Sequence, residues 1–144
     1  MSLHLLRRVS FCAGHRLLGH EGKCANFHGH NYVAEFHVCS DDGSLDEVGR
    51  VVDFAEIKAR LKGWIDAHWD HAFLLWEADE NGIAAIELTE PRRLFLMPAN
   101  PTAEVMADHL LRVVCPPALA GLGVTCTKVA LWETPDSCAI ATFE

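Results

Sequence analysis

Residues 11–32 read FCAGHRLLGHEGKCANFHGHNY. Three histidines, His15, His28 and His30, stand in this stretch with the spacing of a metal site. On an extended strand, residues two apart project to the same face. His28 and His30 therefore reach one point, and Gly29 leaves the opposite face open. Three protein ligands with a fourth position free for water or substrate is the usual arrangement of a catalytic zinc site. Cys24 lies four residues before His28 and offers a thiolate. A closed structural zinc site of three histidines and one cysteine satisfies the same spacing. A chain with nine histidines also gives close pairs by chance, and an isolated histidine is more often a surface or satisfied core residue.

Working outward, residues 3–13 (LHLLRRVSFCA) read as a first strand, and 14–27, with Gly14, Gly19 and Gly22, as a long loop. Residues 28–39 (HGHNYVAEFHVC) read as a second strand: Tyr32, Ala34, Phe36 and Val38 fall on the face that carries His28 and His30. The two form an antiparallel hairpin whose loop carries Cys24. Asp53 is placed to cap a helix through FAEIKARLKGWIDAHW, with Phe54, Ile57, Leu61, Trp64, Ile65 and His68 on its apolar face. The helix ends near Asp70-His71. Residues 77–93 read as a polar, irregular connection and 94–97 (LFLM) as a brief strand or extended segment. Asn100 and Pro101 predict the N-cap and first position of a second helix, which Pro116-Pro117 stops. Residues 123–133 and 138–143 read as two further strands joined by a turn at Pro135-Asp136. The order is β-β-α-α-β-β with a brief extended piece between the helices. Antiparallel hairpins with helices on one face are an α+β arrangement.

At 144 residues the chain reads as one domain, 1–144. Half of the residues are hydrophobic, which argues against disorder. The net charge of −8 and the lack of a Lys/Arg cluster argue against nucleic acid as a partner. No apolar run approaches membrane-spanning length, and MSLHLLRRVSF lacks the apolar core of a signal peptide. The chain is expected to be cytoplasmic with no membrane partner. Its cysteines are scattered without a CxxC pair, so free thiols are expected. Cys24 stands out through its polar neighbours. The other five, Cys12 among them, read as small apolar residues.

The motifs F-x-A-x-H-R-L from Phe11, C-x3-H-G-H-N-Y from Cys24, V-x-D-F-x-E-I-K from Val51, D-H-x-x-L from Asp70, N-P-T-x-E from Asn100 and W-E-T from Trp132 occur in one order across nearly the whole chain. This pattern resembles the 6-pyruvoyl-tetrahydropterin synthase and 6-carboxytetrahydropterin synthase family, which acts on 7,8-dihydroneopterin triphosphate. The resemblance implies the tunnelling fold: a four-stranded antiparallel sheet with two helices on one face. It also implies subunits joined into a homo-oligomer, typically a hexamer, with active sites at subunit interfaces. It makes His15, His28 and His30 the Zn2+ ligands and Cys24 the catalytic thiol. Asp70 and His71 become the pair that completes a proton relay, serving either the same chain or a neighbour. Glu133 becomes the acid that anchors the pterin ring, with Thr102 and Glu104 beside the pocket. Thr102 equally suits a helix start. Arg16 and Lys23 are candidates for the triphosphate, and Arg92-Arg93 is either a contributor or a solvated pair.

The short gap from Cys24 to His28 resembles the bacterial 6-carboxytetrahydropterin synthases of the queuosine pathway. The pyruvoyl-forming enzymes have a longer one. The implied reaction is then a zinc-dependent carbon–carbon lyase giving 6-carboxy-5,6,7,8-tetrahydropterin, acetaldehyde and triphosphate. Elimination of triphosphate to the pyruvoyl product is the alternative. A non-catalytic structural-zinc interaction domain is a reading of another class. Segment 77–99 departs from the family pattern by its length.

Overall fold

The computed structural model describes residues 3–143. β1 (Leu5–His15) and β2 (His28–Ser40) form the expected hairpin, antiparallel from Leu5↔Val38 to His15↔His28. Alternation along the strands sorts the side chains. Val9, Phe11, Ala13 and His15 are buried on the same face as Tyr32, Ala34, Phe36 and Val38. By the register Cys12↔Asn31 and Gly14↔Gly29, those four residues fall on the other face.

The next element, α1, is one unbroken helix over 54–68, made of Phe54–Ile57, a wide π-type turn at Lys58–Lys62, and Gly63–His68. The Asp53 carboxylate accepts the Ala55 N–H at 2.9 Å, satisfying one of the donors that a helix start leaves unpaired. Ile57, Leu61 and Ile65 are fully buried in the core shared with the sheet. Each contributes about 1.5–3 kcal/mol by leaving water. Phe54, expected on the same face, stays exposed in the first turn.

Beyond α1 the chain adds β3 (Ala72–Trp76), α2 (Glu80–Glu87) and β4 (Leu94–Met97). β3 pairs parallel with β1, and β4 parallel with β3. Two expectations are corrected here. Residues 77–93 are not irregular throughout, because Asp79 caps α2 by accepting the Gly82 N–H at 3.0 Å. The expected four-stranded antiparallel sheet is part of a six-stranded one, in the order β4-β3-β1-β2-β5-β6. The apolar run Ala72–Leu75 needs cover, and pairing beside β1 supplies it. Parallel pairing requires a crossover, which α2 provides between β3 and β4.

The second long helix, α3, covers 103–118, again with a π-type turn, at Leu110–Val114. Met106, Ala107, Leu110, Leu111 and Val114 face the same core as α1. The expected stop at Pro116-Pro117 falls inside the last turn instead, which ends at Ala118. A helical proline clashes with the carbonyl four residues back, and the wide turn just before it provides room. β5 (Val124–Thr134) pairs antiparallel with β2, and β6 (Ser137–Thr142) with β5. Among the described residues no helix is long and apolar enough to cross a membrane.

Candidate active site

The ring nitrogens of His15, His28 and His30 lie within 4.8 Å of one another at the end of the β1–β2 hairpin. Two backbone carbonyls set the tautomers. His15 donates Nδ1–H to the Pro101 carbonyl at 2.7 Å, and His28 donates Nδ1–H to the Asn26 carbonyl at 2.7 Å. A carbonyl oxygen only accepts, so both Nε2 atoms are left as lone-pair nitrogens. They face each other at 3.0 Å. His15 is 1% exposed. Its burial, outweighing the Pro101 bond and assisted by the other two imidazoles, lowers its pKa to about 4. The His15 ring is therefore neutral at neutral pH. The Nε2 of His30 is buried with no hydrogen-bond partner. Buried polar nitrogens without partners are costly. A cation among them removes the cost, since two imidazoles on one zinc hold their nitrogens about 3.3 Å apart. The donor set thus fits a divalent metal, and the two carbonyls are the outer contacts that such ligands usually have.

On the same face, a cavity of about 520 Å³ is lined by Cys24, Thr102, Glu104 and Glu133, with Leu17 and Cys138. Glu133 Oε1 lies 3.7 Å from His30 Nε2, so the carboxylate joins the cavity to the histidine cluster. Thr102 is the N-cap of α3, its hydroxyl accepting the Val105 N–H at 3.1 Å, and Glu104 sits in the first turn. The expectation that Asn100 caps this helix is corrected. Its side chain clasps the Cys24 loop instead, accepting from Leu18 N at 2.9 Å and donating to Leu18 O at 2.8 Å. Within that loop, Leu17 N–H donates to Cys24 O at 2.8 Å. Asn100, Pro101 and Thr102 thus fasten the loop, orient His15 and start α3 in succession.

Asp70 and His71 are not brought to Cys24 within the chain. They occupy the turn between α1 and β3 and meet Cys12, on the face of the sheet opposite the histidines. Cys12 N–H donates to Asp70 Oδ1 at 3.0 Å, and the other oxygen lies 3.1 Å from His71 Nδ1. Burial alone would raise the Asp70 carboxyl. The Cys12 amide and the His71 ring outweigh it and hold the carboxyl below its ordinary value. Nothing local in the sequence marks Cys12, because its partners lie more than fifty residues away. The available signal was its parity, which points it away from Phe11 and Ala13 and off the core.

The triphosphate candidates are differently placed. Arg16 is engaged by Asp79 through Nε at 2.6 Å and Nη2 at 2.5 Å. The pair raises the Arg16 pKa and lowers that of Asp79. Segment 77–99 thereby clasps the start of the loop that follows β1. Lys23 is exposed, and Arg93 donates to the Asp66 carbonyl at 2.9 Å beside an exposed Arg92.

The six-stranded α+β fold is shared with solved structures. The structure matches an uncharacterized protein from Wolinella succinogenes with a TM-score of 0.78 at 25% identity, covering 100% of this chain and 99% of that one. It matches the 6-pyruvoyl tetrahydropterin synthase of Caenorhabditis elegans at 0.70 and 23% identity, covering 100% and 97%. A sequence model of the 6-pyruvoyl tetrahydropterin synthase family matches residues 4–144. A 6-carboxy-5,6,7,8-tetrahydropterin synthase of Rickettsia bellii is 38% identical over 130 residues, 90% of this chain and 93% of its own. A probable 6-carboxy-5,6,7,8-tetrahydropterin synthase of Halobacterium salinarum is 34% identical over 134 residues, 90% of this chain and 84% of its own. The chain belongs to the 6-pyruvoyl tetrahydropterin synthase family and is an enzyme of the tetrahydropterin synthase class, whose members are lyases.

Proposed function

We propose that the chain is a 6-carboxy-5,6,7,8-tetrahydropterin synthase of the queuosine type. It would convert 7,8-dihydroneopterin triphosphate to the carboxy product, acetaldehyde and triphosphate, as a single cytoplasmic domain over 1–144. The observation that carries this reading is the junction of Glu133 with His30, at a cavity that also presents Cys24. In this reading His15, His28 and His30 hold Zn2+. Bound there, the ion supplies Lewis-acid polarisation of the substrate's side-chain hydroxyls.

The chain's own groups do the rest. The Glu133 carboxylate accepts from the pterin amino and ring N–H groups, a charge-assisted pairing that fixes orientation. Thr102 and Glu104 close the same wall. Cys24 takes the proton from the side-chain carbon next to the ring. His71, held by Asp70, passes protons to and from that thiol. Since Asp70 and His71 occupy the opposite face of the sheet, they serve Cys24 of another copy, and the working unit is a homo-oligomer, proposed as a hexamer. The closed structural-zinc reading is disfavoured, because the close-set donor group is formed by the three histidines without Cys24.

The reading is tested by substrate turnover in zinc-loaded wild type and Cys24→Ala. The variant is expected to keep its zinc and lose turnover. A fully active variant removes Cys24 from the chemistry.

A further inference from the structure

The loop that carries Cys24 leaves β1 at Arg16 and enters β2 at Phe27. Its two ends are stacked on each other. The Arg16 guanidinium carbon lies over the Phe27 ring, 5.1 Å from its centre, within the range of a cation–π contact. Phe27 in turn packs edge-on against Phe73 of β3, with ring centres 5.5 Å apart.

The guanidinium is held from outside the hairpin, by Asp79 at the start of α2. Asp79 Oδ2 accepts Arg16 Nε–H at 2.6 Å, and Oδ1 accepts Nη2–H at 2.5 Å. Oδ1 also accepts the Gly82 N–H. Two-point pairing of a planar guanidinium with a carboxylate fixes orientation as well as distance. Gly82 makes room for this carboxylate, since a Cβ there would stand 2.5 Å from Oδ2 and 2.8 Å from Cγ. One residue beyond Arg16, Leu17 N–H donates to the Cys24 carbonyl at 2.8 Å. A continuous series of contacts therefore runs from α2 through Asp79, Arg16 and Leu17 to Cys24.

We propose that Asp79, seated by Gly82, is a positioning residue for Cys24: it holds Arg16, and through it the loop end that fixes the thiol in the cavity wall. The inference rests on the role proposed above for Cys24. It gives segment 77–99 a part in the reaction without contact to substrate, and it makes Arg16 a brace for the loop instead of a triphosphate ligand. Misplacing a reacting group by about 1 Å can cost about a hundredfold in rate.

The test uses the full chain loaded with zinc and three substitutions. In Gly82→Ala the new methyl displaces Oδ2 from Arg16, while alanine is the better helix former and leaves α2 intact. Asp79→Asn keeps one oxygen and turns an NH2 group toward Arg16, whose nitrogens are all donors. Arg16→Lys keeps the charge and loses the two-point hold. Each is expected to lower kcat about tenfold to a hundredfold, with KM and bound zinc unchanged. Each is also expected to speed iodoacetamide labelling of Cys24 several-fold, read by peptide mass spectrometry, while Cys39 on β2 labels at the wild-type rate. Wild-type kcat with wild-type Cys24 labelling in Gly82→Ala and Asp79→Asn overturns the proposal. So does a raised KM with kcat unchanged, because the pair then acts on substrate binding. Faster labelling with undiminished kcat overturns it as well if Cys24→Ala is inactive. If Cys24→Ala is active, that same result keeps the brace and removes instead the role proposed for Cys24.

Discussion

Glu133 Oε1 stands 3.7 Å from His30 Nε2, and that buried nitrogen has no hydrogen-bond partner. The contact is too long for a hydrogen bond, yet it sets an acid from β5 beside the histidine cluster of the β1–β2 hairpin. Replacing Glu133 by Ala is expected to raise the substrate KM by about tenfold to a hundredfold, the worth of a charge-assisted hydrogen bond, with bound zinc unchanged. Steady-state kinetics with metal analysis checks this. Ordinary kinetics in the variant place the pterin anchor elsewhere.

His28 and His30 supply two of the three facing nitrogens. Replacing either by Ala leaves two ligands, and zinc after dialysis is expected to fall well below one per chain. Elemental analysis reads this directly. Undiminished zinc removes the ligand assignment.

The Arg16–Asp79 pair gives a pH signature. The Arg16 hydrogen bond lowers the Asp79 carboxyl, so the folded state binds that proton less readily than the unfolded chain. Its contribution to stability is complete above the unfolded value of about 4 and is lost as pH falls through the lower folded value. Asp79 is 2% exposed and also caps α2. Asp79→Ala is expected to cost on the order of 3 kcal/mol at pH 7, because Arg16 is left without its partner. Urea midpoints at neutral and acid pH test both parts. A midpoint unmoved by the substitution at pH 7 contradicts the clasp.

The separation of Cys24 from Asp70-His71 makes a mixing experiment informative. Cys24→Ala and His71→Ala are each expected to be inactive alone. Unfolded together and refolded, they regain about a quarter of wild-type activity, since a random mixture pairs an intact thiol with an intact histidine from another copy at about that frequency. An inactive mixture, with oligomers formed, contradicts sites built between copies.

The hairpin and the Asp53 cap were legible because they rest on local rules: alternation along a strand, and a carboxylate two residues before the N–H that it accepts. The close approach of the three histidines follows from the same alternation once the hairpin register pairs His15 with His28. What stayed hidden was decided at long range. Ala72–Leu75 shows no alternation, so nothing local announces a strand lying parallel to β1. α2 is a short apolar patch inside an acidic stretch. Asn100 carries the capping chemistry of a helix start, but its amide goes to Leu18 and Thr102 takes the cap. Cys12 and His71 meet only once β3 docks.

The central claim is the identity of the reaction. The measurement that tests it most directly is mass spectrometry of the products from zinc-loaded protein and 7,8-dihydroneopterin triphosphate. The account predicts 6-carboxy-5,6,7,8-tetrahydropterin with acetaldehyde. The pyruvoyl product with free triphosphate, or intact substrate, would contradict it.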